Sequence, residues 1–315
     1  VNASGTMFAW GNNNAGQTAQ PTVANIWSAV QYQDYFTIAL RPDFKLLGWG
    51  YSDMGELGIG TTLKYSYPVQ IGNSNWSSFT AGFRRTLAIQ PNGTLWGWGY
   101  NSYGRLGLLG YSNSPSSPTQ IGTSSWSQVT AGMYHTIAIK ANGTLWGWGY
   151  GGYGQLGLGS YTYSVNSPVQ IGTSSWSQVS GGNNTNTFFG ITTAGALWAW
   201  GDNSFGQIGD GTTVNKSSYV QIGTSSWSAV ATNTSHVAAI DAKGRLLERY
   251  GLNVQQTIDP AAAYILNYGL QQVMRSGTGR SAYSSLPQSL NLAGKSGTTN
   301  DTRDSWFAGY SGNHV

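Results

Sequence analysis

The chain has 315 residues, of which only 8% are charged, and its net charge is +4. Abundant tryptophan and tyrosine with so few charges exclude a disordered chain. The absence of cysteine excludes disulfides and thiolate metal sites. Scattered basic residues, with Arg84 and Arg85 the single adjacent pair, exclude a phosphate-tracking surface for nucleic acid.

The fold class follows from the glycine content. Forty-five glycines disfavour helices, so an all-β, turn-rich fold is expected. No stretch of 18 apolar residues occurs, and no membrane span is expected.

Five Trp-Ser pairs divide the first 244 residues into repeat units. They recur at intervals of 49, 50, 50 and 51 residues. Each unit runs from WSxV through an apolar run such as 136–140, a turn such as 141–143, an LWGWG strand and a glycine turn to PVQIG. Four short strands in a repeat of about 50 residues predict the blade of a β-propeller. The pairs begin at Trp27, Trp76, Trp126, Trp176 and Trp227.

The LWGWG strands predict how the blades pack. Trp98 and Trp148 are expected to fill the space between neighbouring blades, with glycines beside them allowing close approach. The later glycines, as in YGRLG, are expected to supply positive φ for the turn.

The strand count predicts five blades. Residues 5–17 carry the LWGWG-like strand that the half-blade at 227–244 lacks, so the N-terminal strands are expected to close the ring.

The phrases LWGWGYNSYGRLG, SPTQIG and WSQVTAGMYHTIAI resemble the repeats of the regulator of chromosome condensation family, over about residues 4–244. The resemblance implies a protein-binding propeller, usually of seven blades, whereas five units are counted here. Family members include exchange factors for small GTPases and a bacterial inhibitor of β-lactamases. None of their catalytic residues can be placed in this chain.

Variable loops before PVQIG carry tyrosine, serine, asparagine and glycine, a composition typical of recognition loops. They are expected to emerge on one rim, and a second set of turns, within 51–54, 100–103, 150–153 and 202–205, is expected to gather too. The alternative is that surface turns are simply polar and the tyrosines pack between blades. The predicted binding residues are Tyr65, Tyr67, Tyr111, Tyr161, Tyr163 and Tyr219, with Tyr103 and Tyr153 from the second set.

The repeat stops at residue 245. Residues 259–280 have the apolar spacing of an amphipathic helix, and LNLAGKSG and DSWFAGY predict two strands. The segment 245–315 resembles the end of the transpeptidase domain of a bifunctional penicillin-binding protein. The resemblance places Lys295, Ser296, Gly297 and Thr298 on the motif that lines the acyl-transfer site.

Catalysis needs more than that motif. The family's nucleophile and base lie in an S-x-x-K turn, and no S-x-x-K occurs in the 315 residues. No catalytic residue and no enzymatic activity are therefore expected. The appendage, a helix plus a hairpin, is too small to form an independent domain. A natural fusion, an engineered join and an error of sequence assignment all explain the composite chain.

Other patterns favour neither a cofactor nor a metal. Gly152, Gly154 and Gly157 spell a dinucleotide fingerprint, but within repeating β structure they predict turns. His135 and His236 fall at one repeat position that also holds Phe36 and Arg85, which argues against a metal site.

Three functional hypotheses follow. The first is a non-enzymatic propeller that binds a protein or glycan through its rim loops, on a bacterial or phage surface, in an extracellular, periplasmic or virion location. The second is a penicillin-binding remnant with an incomplete active site. The third is an exchange factor for a small GTPase.

Overall fold

The computed structural model describes residues 27–33, 35–111, 113–182, 185–232, 237–242, 246–247, 292–298 and 305–311. The chain divides into two compact units, Val1–Asn253 and Val254–Val315. The described residues form strands joined by turns, with one short 3-10 turn and no α-helix, which confirms the all-β prediction. No helix in these ranges is long and apolar enough to cross a membrane.

The first blade shows how each unit forms its sheet. The apolar runs FTIAL and LLGWG become its two middle strands, and every residue in them is buried because other structure covers both faces. Its four strands pair antiparallel in chain order: β1 Ala29–Tyr32, β2 Phe36–Leu40, β3 Leu46–Gly50 and β4 Tyr65–Gln70.

Blades 2 to 4 form one continuous ladder of ten strands. Two long strands each serve two blades: residues 119–125 of β8 pair with β7, whereas 126–131 pair with β9. Strand β11 links blades 3 and 4 in the same way. The strands are β5 Ser78–Gly82, β6 Arg85–Ile89, β7 Thr94–Gly99, β8 Thr119–Ala131, β9 His135–Lys140, β10 Thr144–Tyr150, β11 Ser164–Gly181, β12 Thr187–Thr192, β13 Leu197–Gly201 and β14 Lys216–Gln221.

The fifth repeat unit forms a separate three-stranded sheet of β15 Trp227–Thr232, β16 Val237–Asp241 and β17 Leu246–Leu247. Leu246 pairs with Ile240 as Leu145 pairs with Ile139 in the third unit. Residues 246–247, which follow directly in sequence, therefore occupy the place of the third strand in this sheet. The sheet therefore extends to Leu247, three residues past the predicted boundary at 244. Residues 5–17 lie outside the described ranges, and ring closure by them stays a prediction.

Trp98 and Trp148 lie between neighbouring blades, as predicted, against the glycine turn of the preceding unit. The Trp98 ring is fully buried, and its Nε1 donates a hydrogen bond of 2.9 Å to the Glu56 carbonyl in the glycine turn of the preceding unit. Trp200 donates to the Gln155 carbonyl at 3.1 Å in the same manner. A Cβ at Gly58 would collide with the Trp98 ring, so this turn requires glycine for close approach as well as for its φ of +70°.

Glutamine side chains join the first strands of adjacent blades. Gln128 Oε1 accepts from the Val179 N–H at 2.9 Å, and its Nε2 donates to the Val179 carbonyl at 3.0 Å. Gln178 makes the same two contacts with Val230. Because the first strands meet in this way, they form the inner side of the propeller.

The second compact unit contains a two-stranded hairpin, β18 Leu292–Thr298 paired antiparallel with β19 Ser305–Ser311. Both strands were predicted. The predicted helix over 259–280 lies outside the described residues.

Candidate functional site

Two sets of loops share one face of the repeat unit. Antiparallel strands return the chain to the same end after each pair, so the loops between strands 1 and 2 and between strands 3 and 4 lie together. Backbone bonds tie them: Tyr100 N–H donates to the Arg84 carbonyl at 2.7 Å, and Tyr150 N–H donates to the Tyr134 carbonyl at 3.0 Å. We call this end the loop face.

Three of the tyrosines predicted in loops lie on strands instead. Tyr65 and Tyr67 belong to β4 and contact each other edge to face, with ring centroids 6.0 Å apart. Tyr219 belongs to β14, where its half-buried ring packs edge-on against Trp176 and Trp198. Tyrosine favours strands, so the fourth strand begins earlier than the sequence interpretation assumed.

Two other predicted tyrosines lie on exposed loops. Tyr161 is 56% exposed, and its hydroxyl donates to the Asn215 carbonyl at 3.0 Å in the next unit. Tyr111 is exposed as well. Neither makes a ring contact with the remaining three predicted residues among the described contacts.

The structure brings Tyr103, Tyr153 and Tyr163 into one group. Tyr103 lies 5.3 Å from Tyr150, 5.7 Å from Tyr134 and 5.8 Å from Tyr163, measured between ring centroids. Tyr150 also contacts Tyr153 at 5.9 Å and Tyr163 at 5.6 Å. Edge-to-face packing of this kind is the favourable geometry for aromatic pairs. We name this group the tyrosine cluster: Tyr100, Tyr103, Tyr134, Tyr150, Tyr153 and Tyr163.

Local backbone geometry positions the cluster. Tyr103 lies in the 3-10 turn Ser102–Gly104 with φ of +61°, a conformation that only a constrained turn imposes on a bulky residue. The Tyr150 ring lies over Gly152, where any Cβ would collide with its hydroxyl. Tyr153 and Tyr163 keep 44% and 68% of their surface exposed, so the cluster faces solvent.

Arg105 lies buried beneath the cluster. Its guanidinium carbon is 4.8 Å from the Tyr100 ring centroid, 4.7 Å from that of Tyr134 and 5.8 Å from that of Tyr103. Nε donates to the Ser102 carbonyl at 2.8 Å and Nη2 to the Ser102 hydroxyl at 3.0 Å. Burial lowers the pKa of Arg105 to about 10, and the three tyrosines oppose that shift, so the side chain is cationic at neutral pH.

A second buried arginine lies next to the first. Arg85 donates to the carbonyls of Gly132 at 3.0 Å, Met133 at 3.0 Å and His135 at 2.6 Å. Burial and the neighbouring Arg105 lower the pKa of Arg85. Within the described ranges neither arginine forms an ion pair.

The His135 side chain, next to the two arginines, is uncharged. Its ring is fully buried and lies 4.7 Å from Phe188, centroid to centroid. Burial, followed by the two arginines, lowers its pKa well below the usual value, so it is neutral at pH 7. Across the part of the chain that the structure describes, no three metal-ligating side chains come together.

The repeats match a known family. Two profiles, both of the regulator of chromosome condensation (RCC1) repeat, match this sequence: one at residues 92–139, 142–188 and 194–240, the other at 76–105 and 126–155. The chain carries RCC1 repeats. The tyrosine cluster lies on the second and third units, which begin at Trp76 and Trp126. Both units fall within the region that the family profiles match.

Solved propellers share this fold. Human WBSCR16 superposes with a TM-score of 0.66 at 20% identity, over 73% of this chain and 66% of that one. Prp20p from Saccharomyces cerevisiae, described with its binding to Gsp1p and histones, superposes with a TM-score of 0.64 at 14% identity over 75% and 66%. At such low identity the likeness shows the β-propeller fold alone.

The sequence is also similar over a short length to penicillin-binding proteins. Penicillin-binding protein 1B of Vibrio cholerae is 41% identical over 78 residues, which are 25% of this chain and 10% of the relative. The chain thus spans about a tenth of the length of this curated relative. In the hairpin, Lys295 pairs with Ala308 and Ser296 with Phe307.

Charge distribution along the RCC1 repeats is uneven. No aspartate or glutamate occurs between Glu56 and Asp202, whereas Lys64, Arg84, Arg85, Arg105 and Lys140 all lie in that interval. Arg84 forms an ion pair of 3.1 Å with Asp53, which precedes the interval. Sequence reasoning missed this signal, and it also missed Tyr134 and Arg105 as members of the site.

Proposed function

We propose that this chain is a non-enzymatic protein-binding propeller, and that the tyrosine cluster on its loop face is the contact surface. The observation that carries the proposal is that ring contacts join five tyrosines from two neighbouring RCC1 repeats into one solvent-facing group, with Tyr100 joined to it through Arg105. Tyrosine supplies large amphipathic contact area with few rotatable bonds, and it is enriched at binding hot spots.

Preorganisation supports the same proposal. Mutual ring contacts and the stacked Arg105 fix the tyrosines before any partner arrives. A partner then binds without the entropic cost of ordering these side chains, which otherwise takes about 0.5–1.5 kcal/mol for each side chain immobilised. Tyr153 and Tyr163, as the most exposed members, are the contact residues.

Site-specific photo-cross-linking tests this proposal. A photoreactive phenylalanine analogue replaces Tyr163 in one preparation and Phe44 in another, and both are exposed to bacterial lysate. Phe44 is a matched control because it is 53% exposed and lies in the turn between β2 and β3, at the opposite end of the strands. We expect a discrete protein adduct from position 163 that is absent from position 44.

Two results would count against the proposal. Adducts of equal yield at both positions would show non-specific contact. An adduct at position 163 that resists protease but not glycosidase would identify a glycan partner instead of a protein.

A second candidate function is favoured by the similarity to penicillin-binding proteins. The segment from 245 to 315, with Lys295 to Thr298 on β18, would then be a transpeptidase-derived remnant that binds penicillin or peptidoglycan. Labelled penicillin distinguishes the two. Because no S-x-x-K motif is present, we expect no covalent adduct, and a covalent adduct on this chain would favour the second candidate.

A further inference from the structure

We propose that the tyrosine cluster recognises carboxylate groups, so that its partner is an acidic segment of protein. This inference rests on the proposed function and specifies the chemistry of the partner. Three observations support it: the buried Arg105, the tyrosine hydroxyl groups of the cluster, and the lack of acidic residues in the two repeats that carry the cluster.

The buried guanidinium groups beneath the cluster carry positive charge that no described carboxylate neutralises. The Arg105 guanidinium contacts three tyrosine faces, and among the described residues it meets carbonyl and hydroxyl oxygens but no carboxylate. Arg85 shares the Met133 carbonyl with it, at 3.0 Å against 3.3 Å. Charges buried in a medium of low polarity act over longer distances than charges in water, so an anion at the surface above them is favoured.

The two repeats that carry the cluster contain no carboxylate side chain to oppose that positive potential. All 145 positions from 57 to 201 lack aspartate and glutamate. Every tyrosine of the cluster lies in this interval. A basic partner would be repelled, whereas an acidic partner meets a complementary potential.

The tyrosine hydroxyls can give the interaction with a carboxylate its direction, through hydrogen bonds. A phenol donates one hydrogen bond, and hydrogen bonds to ionised carboxylates are stronger than those between neutral groups. The pKa of Tyr163 is raised, first by its hydrogen bond with Tyr103, and burial raises the pKa of Tyr150. Both hydroxyls therefore stay protonated at neutral pH. A carboxylate can accept from the Tyr150 hydroxyl, or from the Tyr163 hydroxyl in exchange for its bond with Tyr103, while the rings pack against the aliphatic stems of aspartate or glutamate.

Nucleic acid is the competing anion, and the site does not suit it. Binding a phosphate backbone requires a row of exposed basic side chains. Here both arginines nearest to the cluster are fully buried, and Arg84 is paired with Asp53. The geometry points to a few carboxylates next to apolar residues.

Fluorescence anisotropy with two matched probes tests the inference on the full chain. One labelled peptide alternates glutamate with phenylalanine, and the other has glutamine in place of each glutamate. We expect the acidic peptide to bind about tenfold more tightly, and its affinity to fall as salt is raised.

Two variants localise the effect. Arg105→Gln places at this position the residue that units 3 and 4 carry as Gln155 and Gln207, and we expect it to weaken binding of the acidic peptide about tenfold. Lys140→Gln removes a charge from the same interval at the other end of the strands, where Lys140 lies 3.5 Å from the Trp146 ring centroid, and we expect no change. If Arg105→Gln does not fold, Tyr163→Phe removes one exposed hydroxyl and should weaken binding of the acidic peptide several-fold.

Each other outcome overturns the inference. Equal binding of both peptides would show a tyrosine surface with no preference for carboxylates, which leaves the proposed function intact. If neither peptide binds but a protein adduct forms at position 163, the inference about carboxylates is wrong and the proposed protein-binding function stands. Equal losses in Arg105→Gln and Lys140→Gln would indicate a general charge effect, and tighter binding of a labelled oligothymidylate would show that the anion is nucleic acid.

Discussion

Glu56 and Gln155 occupy the same position in their repeat units, and each accepts a hydrogen bond from the backbone N–H two residues earlier. The distances are 2.9 Å from Met54 N and 2.7 Å from Tyr153 N. Gln207 makes the same bond to Phe205 N at 2.9 Å. Arg105 stands at this position in unit 2, where its side chain turns to the tyrosines instead.

The glutamate at this position makes stability depend on pH. Burial, with the nearby Asp53 carboxylate, raises the pKa of Glu56 from 4.5 to about 7. A raised folded-state pKa means that the folded protein binds the proton more tightly than the unfolded chain does. The resulting stabilisation is fully present below pH 4.5 and is lost as the pH rises through 7.

Glu56→Gln should remove this dependence. The amide keeps the acceptor for Met54 N–H and cannot ionise, so above pH 7 the variant should be more stable than the parent by up to about 3 kcal/mol, with little difference below pH 4.5. Urea unfolding across this range measures the change. Gln155→Glu is the reciprocal control and should lose stability only at the higher pH; equal unfolding curves at all pH values would contradict the assignment.

The buried tryptophans offer a matched pair. Trp98 and Trp148 are both fully buried at the same repeat position, yet Trp98 Nε1 donates to the Glu56 carbonyl while Trp148 Nε1 has no hydrogen-bond partner among the described residues. Replacement by phenylalanine removes similar volume from both. We therefore expect Trp98→Phe to reduce the free energy of unfolding by about 1 kcal/mol more than Trp148→Phe, measured by chemical denaturation, and equal losses would show that the indole hydrogen bond contributes nothing.

The repeat period alone predicts most of the propeller. Trp98 and Trp148 could be placed between blades because a small sheet has no other way to cover both faces, and their glycine partners follow in sequence. Less of the candidate site could be predicted from the sequence. Tyr103, Tyr153 and Tyr163 were predicted from loop composition, but Tyr134 lies in the short turn between strands 1 and 2 and joins them only because antiparallel pairing returns that turn to the loop face.

Arg105 could not be assigned to the cluster from sequence. It occupies a glutamine position of the glycine turn, and its contact with Tyr100 and Tyr134 depends on the direction its side chain takes. The loop position predicted for Tyr219 was wrong for a related reason. Composition placed it in a loop, whereas it lies on β14 and its ring packs against Trp176 and Trp198.

Gln128 should be necessary for the joint between blades 3 and 4. Its amide satisfies both the N–H and the carbonyl of Val179 across the gap between first strands. Gln128→Ala leaves both backbone groups without these partners, and we expect a loss of about 1–3 kcal/mol in the free energy of unfolding. Gln120→Ala is the control, because the exposed Gln120 side chain donates to the Gly122 carbonyl in its own strand, at 2.9 Å, and to no other described residue. Its loss should be within about 0.5 kcal/mol. Equal effects of the two substitutions in denaturant titrations would show that water replaces the Gln128 amide and that the inner strands do not depend on it.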